Sequence, residues 1–260
     1  MTVNFVGLIA IIASIAAFIA SWNFTKTKSL PSKLALLFLF SLLSIPAFLY
    51  SAYYLHILPD QAWFYTLRSW KGSEFISIFL GCAGGCFASL LPRVLMGFPL
   101  FGVIAVTTLP YIKPILSPLP DTAITDQWKG DACLQSTMST CGPASLCTIL
   151  KFSGTTVSER QVARASFSYT GGTEAWYLAR FARNHGYTPT FVFTKRLSDI
   201  SLPAIAGVKI GGMGHFIAIL KIENGSVTFA DPLQGIEHIS LDKFKNSYSF
   251  TGFFLSIQKS

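Results

Sequence analysis

Charge is what this sequence has least of. Only 12% of its 260 residues are Asp, Glu, Lys or Arg, against about 25% in an ordinary soluble protein. The shortage is uneven: residues 1–120 hold seven basic and two acidic residues, residues 121–260 thirteen and ten. The chain therefore reads as two regions, a membrane part and a globular part of roughly 140 residues, enough for a core of its own. Most of the net charge of +8 lies in the first region, where Lys and Arg flank spans. No basic run with interleaved aromatics follows, which argues against a nucleic-acid partner. Cysteine is also sparse. Five is an odd count, unlike the dense even framework of a small secreted disulfide domain. There is no internal repeat and no G-x-x-x-x-G-K-[ST] phosphate loop. Cys133, Cys141, Cys147 and His215 match no zinc spacing, so the sequence calls for no cofactor and no metal.

The first region is an all-α transmembrane region of four predicted spans, residues 3–22, 34–58, 75–91 and 94–116, each near the length that crosses hydrocarbon. No basic segment precedes the first, so it reads as a retained helix rather than a signal peptide. Pro46 is tolerable within a membrane helix, and Tyr50, Tyr53 and Tyr54 fit an interfacial belt. Gly81, Gly85 and Ser89 recur every four residues and favour close helix packing. Cys82 and Cys86 beside them read as small packing residues, with a metal or redox role the rival. The short turn at Pro92-Arg93 makes the third and fourth spans a hairpin. Lys26, Lys28 and Lys33 cluster in the first loop, which is placed inside. The chain is thus expected to be a multi-pass protein of a bacterial inner or plasma membrane, with its lipid bilayer as one partner and the globular domain extracytoplasmic. Prolines 110, 114, 118 and 120 end the last helix. Residues 117–131 read as a semi-rigid linker to a domain at 132–260.

That domain has helices first and strands after, an α+β order with an antiparallel sheet. Residues 141–152 are apolar at helical spacing, with Pro143 suited to a first turn, Ser139 or Thr140 as cap, and Gly154 at the end. Ser158 and Gln161 form a capping box. Another helix opens at Thr173-Glu174 and runs to His185. Strands are predicted at 190–194, 204–210, 215–222, 226–230 and 250–257 from β-branched and aromatic content, and a short polar or helical piece at 241–246. Glu223-Asn224-Gly225 is a hairpin turn.

Cys141 sits at a helix N-terminus, where the dipole and free N–H groups favour a thiolate. A cysteine nucleophile needs a base, a group to orient it and donors for the oxyanion. Of the four histidines, His215 follows a glycine cluster and starts an apolar strand; as a lone observation this also fits a structural histidine. Asp231 ends the partner strand of the same hairpin, so antiparallel pairing brings His215 and Asp231 together. Asp231 alone reads equally as a turn former before Pro232. Gln135, six residues before Cys141, offers an amide to an oxyanion. Cys147 reads as helix packing, with a Cys133–Cys147 disulfide as the alternative.

Three stretches, Gln135-x5-Cys141-Gly142-Pro143-Ala144, Gly211–Leu220 and Phe229-Ala230-Asp231-Pro232, resemble the papain-like fold. Within it they are similar to the bacteriocin-processing, double-glycine leader peptidase family. The resemblance implies a cysteine endopeptidase with Cys141 as nucleophile, His215 as general base, Asp231 as its orienter and Gln135 as oxyanion donor. It implies a peptide or protein substrate, cut after Gly-Gly in leader peptides, and a separate secretion or transport component as partner. The chain departs from the family pattern in placing the peptidase after its spans and in carrying Thr140 where Asp is common. Two other readings stay open: a non-catalytic peptide-binding module assisting secretion, and a papain-like amidase or acyltransferase acting on a non-peptide substrate.

Overall fold

A computed structural model describes residues 3–260, which divide into two compact units. One comprises Asn4–Asp60 and Lys71–Lys113; the other comprises Gln61–Trp70 and Pro114–Ser260.

The helical unit is built from α1 (Phe5–Thr25), α2 (Leu30–Tyr54), α4 (Ser77–Ala88) and α5 (Gly97–Thr108). Helix α2 begins and ends four residues before the sequence expectation, because Ser29 and Pro31 make a helix start. Among the described residues, three helical stretches are long and apolar enough to cross a membrane: Phe5–Thr25, Leu30–Tyr54 and Arg93–Tyr111. The stretch Ser73–Ala88 is apolar but shorter. Its glycines form the seam: a Cβ on Gly81 would lie 2.0 Å from the Ser14 carbonyl oxygen, and hydrogen there lets α4 press against α1. Tyr50, Tyr53 and Tyr54, the tyrosines expected in an interfacial belt, are buried among protein atoms. Tyr50 donates to the Ser73 carbonyl at 2.9 Å, and the Lys113 N–H donates to the Tyr54 oxygen at 3.0 Å. Burying a phenol requires such a partner.

The second unit holds α3 (Ala62–Ser69), a short α6 (Lys113–Leu116) at its margin, the small ribbon β1 (Trp128–Lys129) and β2 (Ala132–Cys133), and helices α7 (Cys141–Phe152), α8 (Glu159–Ala165) and α9 (Ala175–Asn184). After these come β3 (Tyr187–Phe193), β4 (Ala204–Ile210), β5 (Met213–Glu223), β6 (Ser226–Asp231), β7 (Gly235–Ser240), α10 (Leu241–Ser247) and β8 (Ser249–Lys259). Six strands form one antiparallel sheet in the order β3-β8-β4-β5-β6-β7. The α+β expectation holds, and β7 is an added strand whose alternating polar residues hide it at the sheet edge. Ile217, Ile219, Val227, Phe229 and Phe254 pack with Phe244 of α10 into the core. The capping box at Ser158 and Gln161 is present.

Residues 117–131, read from the sequence as a linker, are fastened to this unit. The Ser117 carbonyl accepts from the Thr170 N–H at 2.8 Å, Asp121 pairs with Arg164 at 2.7 Å, and Asp126 accepts from the Arg160 N–H at 2.8 Å. Ile124 is buried. The polar character of the stretch reflects these pairings.

Candidate active site

Cys141 opens α7, with Thr140 at the N-cap position. Thr140 does not cap with its side chain; its Oγ1 accepts from the Thr137 N–H at 3.1 Å and so shapes the turn before the cysteine. Among the described residues no hydrogen bond uses the N–H of Cys141 or Gly142. These are the orphan donors of a helix start, and they lie beside the sulfur. A Cβ on Gly142 would stand 2.8 Å from Leu178 Cδ1 and 3.3 Å from the Phe216 ring, so a larger residue there would displace the Leu178 side chain where α7 packs against α9 and β5.

Across from it, His215 Nε2 meets Asp231 Oδ1 at 2.9 Å. The Cys141 thiol also acts on the imidazole, by hydrogen bonding and by charge. All three residues are withdrawn from solvent: Cys141 is 8% exposed, His215 7% and Asp231 0%. Burial is the largest influence on His215 and lowers its pKa. The bonds to Asp231 and Cys141 and the charges of both outweigh it, and His215 is carried up to about 9. Burial likewise raises the Asp231 carboxyl. The donors on it, led by His215, hold it below the usual carboxylate range.

Those donors include two that sequence reasoning missed. The Leu233 N–H donates to Oδ1 at 2.9 Å, and the Tyr248 hydroxyl donates to Oδ2 at 2.8 Å. Tyr248 lies seventeen residues beyond Asp231 in a polar stretch, and nothing local marks it.

A β-bulge sets the meeting of His215 and Asp231. Strands β5 and β6 pair as Ile222↔Val227 and Lys221↔Thr228 next to the turn, then shift to Ile219↔Phe229 and Ala218↔Ala230. Leu220 is the extra residue. Continuing the shifted register places Asp231 opposite Ile217, two residues from His215 and therefore on the same face. The turn matches expectation, with Asn224 and Gly225 both at positive φ (50° and 73°).

Gln135 is tied to the same corner, since its N–H donates to the Pro232 carbonyl at 2.9 Å. Its side-chain amide donates to the Thr137 carbonyl at 2.9 Å and makes a longer contact of 3.8 Å with the Met138 sulfur. The second contact is to a weak acceptor. The adjoining Ser136 is gripped through its N–H and hydroxyl by the buried carboxylate of Glu159. The structure thus gathers Cys141, His215 and Asp231, and holds Gln135 on the neighbouring loop. His185 is engaged elsewhere, bonded to the Phe181 carbonyl at 2.8 Å, and His238 pairs with Thr228 at 3.0 Å. Cys133 and Cys147 are free, buried thiols rather than a disulfide; burial is the main cause of the strong upward shift of Cys147.

Comparison with known proteins bears on the same stretch. An uncharacterized protein of Methanothermobacter marburgensis is 32% identical over 125 residues, 48% of this chain and 86% of that protein. An uncharacterized protein of Methanothermobacter thermautotrophicus is 30% identical over 126 residues, covering 48% and 87%. Among solved structures, the peptidase domain of Streptococcus ComA, a bi-functional ABC transporter involved in quorum sensing, aligns with 49% of this chain and 96% of its own. That match has 21% identity and a TM-score of 0.43. A double glycine motif protease from an AMS/PCAT transporter, solved with its leader peptide, aligns over 53% and 91% at 22% identity and a TM-score of 0.41. The model of the Peptidase C39 family matches residues 130–260, more than half of the chain and all four residues singled out above, and the chain belongs to that family.

Proposed function

We propose that the chain is a membrane-anchored cysteine peptidase that cleaves peptide substrates at or near the bilayer. The carrying observation is the buried imidazole of His215, bonded to the Asp231 carboxylate and influenced by the Cys141 thiol at a helix N-terminus. In this reading Cys141 is the nucleophile, His215 the general base and then acid, and Asp231 the orienter. A proton held on His215 up to about pH 9 favours a resting pair in which imidazolium faces sulfur. The sulfur adds to the scissile carbonyl, and the oxyanion is met by the Cys141 N–H and the Gln135 amide. His215 returns its proton to the leaving amine, and water then frees the acyl-enzyme with the same imidazole as base.

Substrate side chains have apolar ground to rest on. Met138, Met213 and Leu233 are exposed, and each lies two or three residues from Cys141, His215 or Asp231. A leader-like peptide with a Gly-Gly pair before the cut is the first substrate to try, and a secretion component the partner that would deliver it. The basic cluster of the first loop supports an extracytoplasmic peptidase.

The test is a peptide-library digest by the full chain in liposomes, run beside Cys141→Ala. Cleavage by the native chain, abolished in the variant with the fold intact, is the expected result. A variant that still cleaves sinks the nucleophile assignment. A native chain that alkylates at Cys141 yet cuts no peptide shifts the reading to amide or acyl chemistry on another substrate.

A further inference from the structure

Helix α3 (Ala62–Ser69) lies in sequence between two apolar helices, more than forty residues before the peptidase begins. It nevertheless belongs to the same compact unit as Pro114–Ser260, and two kinds of contact hold it there. The first is aromatic. The buried Phe64 meets Trp176 edge-on at 6.2 Å between ring centroids. Tyr65 meets Trp176 and Phe191 at 5.2 Å each, Phe193 at 5.6 Å and Phe253 at 6.0 Å.

The second is polar and falls at the C-terminal end of α3, where a helix leaves its last carbonyls without intrahelical donors. Arg180 of α9 donates to the carbonyls of Arg68 and Trp70, both at 2.9 Å. Arg183 donates to the Ser69 carbonyl at 3.3 Å and hydroxyl at 2.7 Å, and lies 4.3 Å over the Trp70 ring. Arg68, itself buried, donates to the Tyr177 hydroxyl at 3.0 Å. Two guanidinium groups thus complete the helix end, as cations do at that pole of the dipole. A buried guanidinium is tolerated only with partners of this kind.

We infer that α3 is a constituent of the peptidase fold and that its docking fixes how the chain crosses the bilayer. The segment between Trp70 and Pro114 leaves the peptidase unit and returns to it, so it crosses an even number of times. Length and apolarity alone pick out three spans, omitting Ser73–Ala88. Three crossings would put α3 and the peptidase on opposite faces, beyond the reach of Arg180 and Arg183. The short helix is therefore a true span, paired with Arg93–Tyr111 as a hairpin. Its turn of 3-10 helix and α4 have 4 and 12 residues, which rise about 24 Å against about 30 Å of hydrocarbon. Local thinning of the bilayer and the flanking residues make up a gap of that size. The peptidase also has a dependence on its membrane region that sequence order conceals. Tyr65 touches Phe253, and Phe253 touches Phe216 at 5.5 Å, the residue that follows His215.

The test uses the full chain in sealed, oriented proteoliposomes. Exposed residues are replaced by cysteine one at a time (Lys28→Cys, Gln61→Cys, Lys71→Cys and Lys243→Cys) on a Cys141→Ser background, and each variant meets a membrane-impermeant maleimide. The background alone serves as the control for Cys82, Cys86, Cys133 and Cys147. Positions 61, 71 and 243 are expected to label from one side and position 28 from the other. Labelling of 61 and 71 from the side opposite 243 overturns the inference, whether or not the chain proves to be a peptidase. A second arm compares Tyr65→Ala with Gln61→Ala by thermal unfolding of the peptidase unit, followed by its tryptophan fluorescence. The first should lower the midpoint by roughly 10 °C and the second leave it in place. Equal midpoints would mean that α3 only rests on the fold, and would also overturn the proposal.

Discussion

Replacing Asp231 by Asn tests the electrostatics of the site while leaving its shape. The Asn side chain keeps an oxygen to accept from His215 Nε2 and from the Leu233 N–H, and its amide nitrogen faces the Tyr248 oxygen, which can accept. Only the charge is lost. In the native chain His215 is carried to about 9 from an ordinary value of 6.5. At 1.36 kcal/mol per pH unit that difference corresponds to about 3 kcal/mol, shared between Asp231 and Cys141. A folded-state value raised above the unfolded one contributes stability that is complete below pH 6.5 and is lost as pH rises through 9. In the Asn variant the charge of Asp231 no longer opposes burial, Cys141 alone raises His215, and its pKa falls. Native and variant should therefore differ most in melting temperature at about pH 6 and converge by about pH 10. An imidazole that holds its proton less firmly is a poorer partner for the sulfur, and kcat/KM should fall by roughly 10²- to 10⁴-fold. Melting of the full chain in detergent from pH 6 to 10, with peptide turnover in parallel, checks both. A melting gap that stays constant across that range, with turnover within twofold of native, refutes the account of His215.

Three further outcomes follow from the same geometry. Tyr248→Phe removes a charge-assisted hydrogen bond from Asp231, of a kind worth about 1.5–3 kcal/mol; kcat/KM should drop roughly tenfold and its acid limb move to higher pH, and an unmoved profile removes Tyr248 from any positioning role. Gln135→Ala should lower kcat by about 10²- to 10³-fold with little change in KM, which steady-state kinetics on one peptide will show; a change confined to KM points to substrate binding instead. In the helical unit, Gly81→Val drives a Cβ to 2.0 Å from the Ser14 carbonyl and should abolish stable expression, while Gly102→Val, with nothing within 4 Å of its Cβ position, should not; the two are compared by yield and melting in detergent.

What the sequence makes legible is local or carried by one turn. Cys141 at a helix start, the Asn224-Gly225 hairpin and the adjacency of His215 to Asp231 can all be read from neighbours within about twenty residues. Contacts that close over longer distances cannot. Residues 61–70 read as a loop because their apolar positions satisfy partners some 110 residues away. Arg180 and Arg183 look like the solvent face of an amphipathic helix, yet Arg180 is buried against carbonyls that the sequence gives no reason to place there. The burial of Tyr50, Tyr53 and Tyr54 is likewise a matter of how α2 packs, which their composition does not disclose. Residues 117–131 read as a linker for a similar reason, since Asp121 and Asp126 look like solvated charges until Arg164 and Arg160 are placed beside them.

The hairpin brings His215 and Asp231 together in a way that an ideal ladder would have blocked. From Ile222↔Val227, an unbroken register pairs Asp231 with Ala218. Ala218 is three residues from His215, and side chains an odd number apart point to opposite faces. The carboxylate would then lie across the sheet from the imidazole. The bulge corrects this by leaving Leu220 of β5 unpaired. Its trace in the sequence is a broken alternation: Ile217, Ile219 and Ile222 all reach the same core, although the last step is odd. Deleting Leu220 joins Lys221↔Thr228 to Ile219↔Phe229 in one unbroken ladder and leaves Ile217 opposite Asp231, so the expected result is a folded sheet that keeps His215 and Asp231 on one face. Peptide turnover should persist, and Cys141 should still react with iodoacetamide. Lost turnover in the deletion variant, with the sheet intact by circular dichroism, would show that the kink of the bulge, and not the register alone, aims the pair.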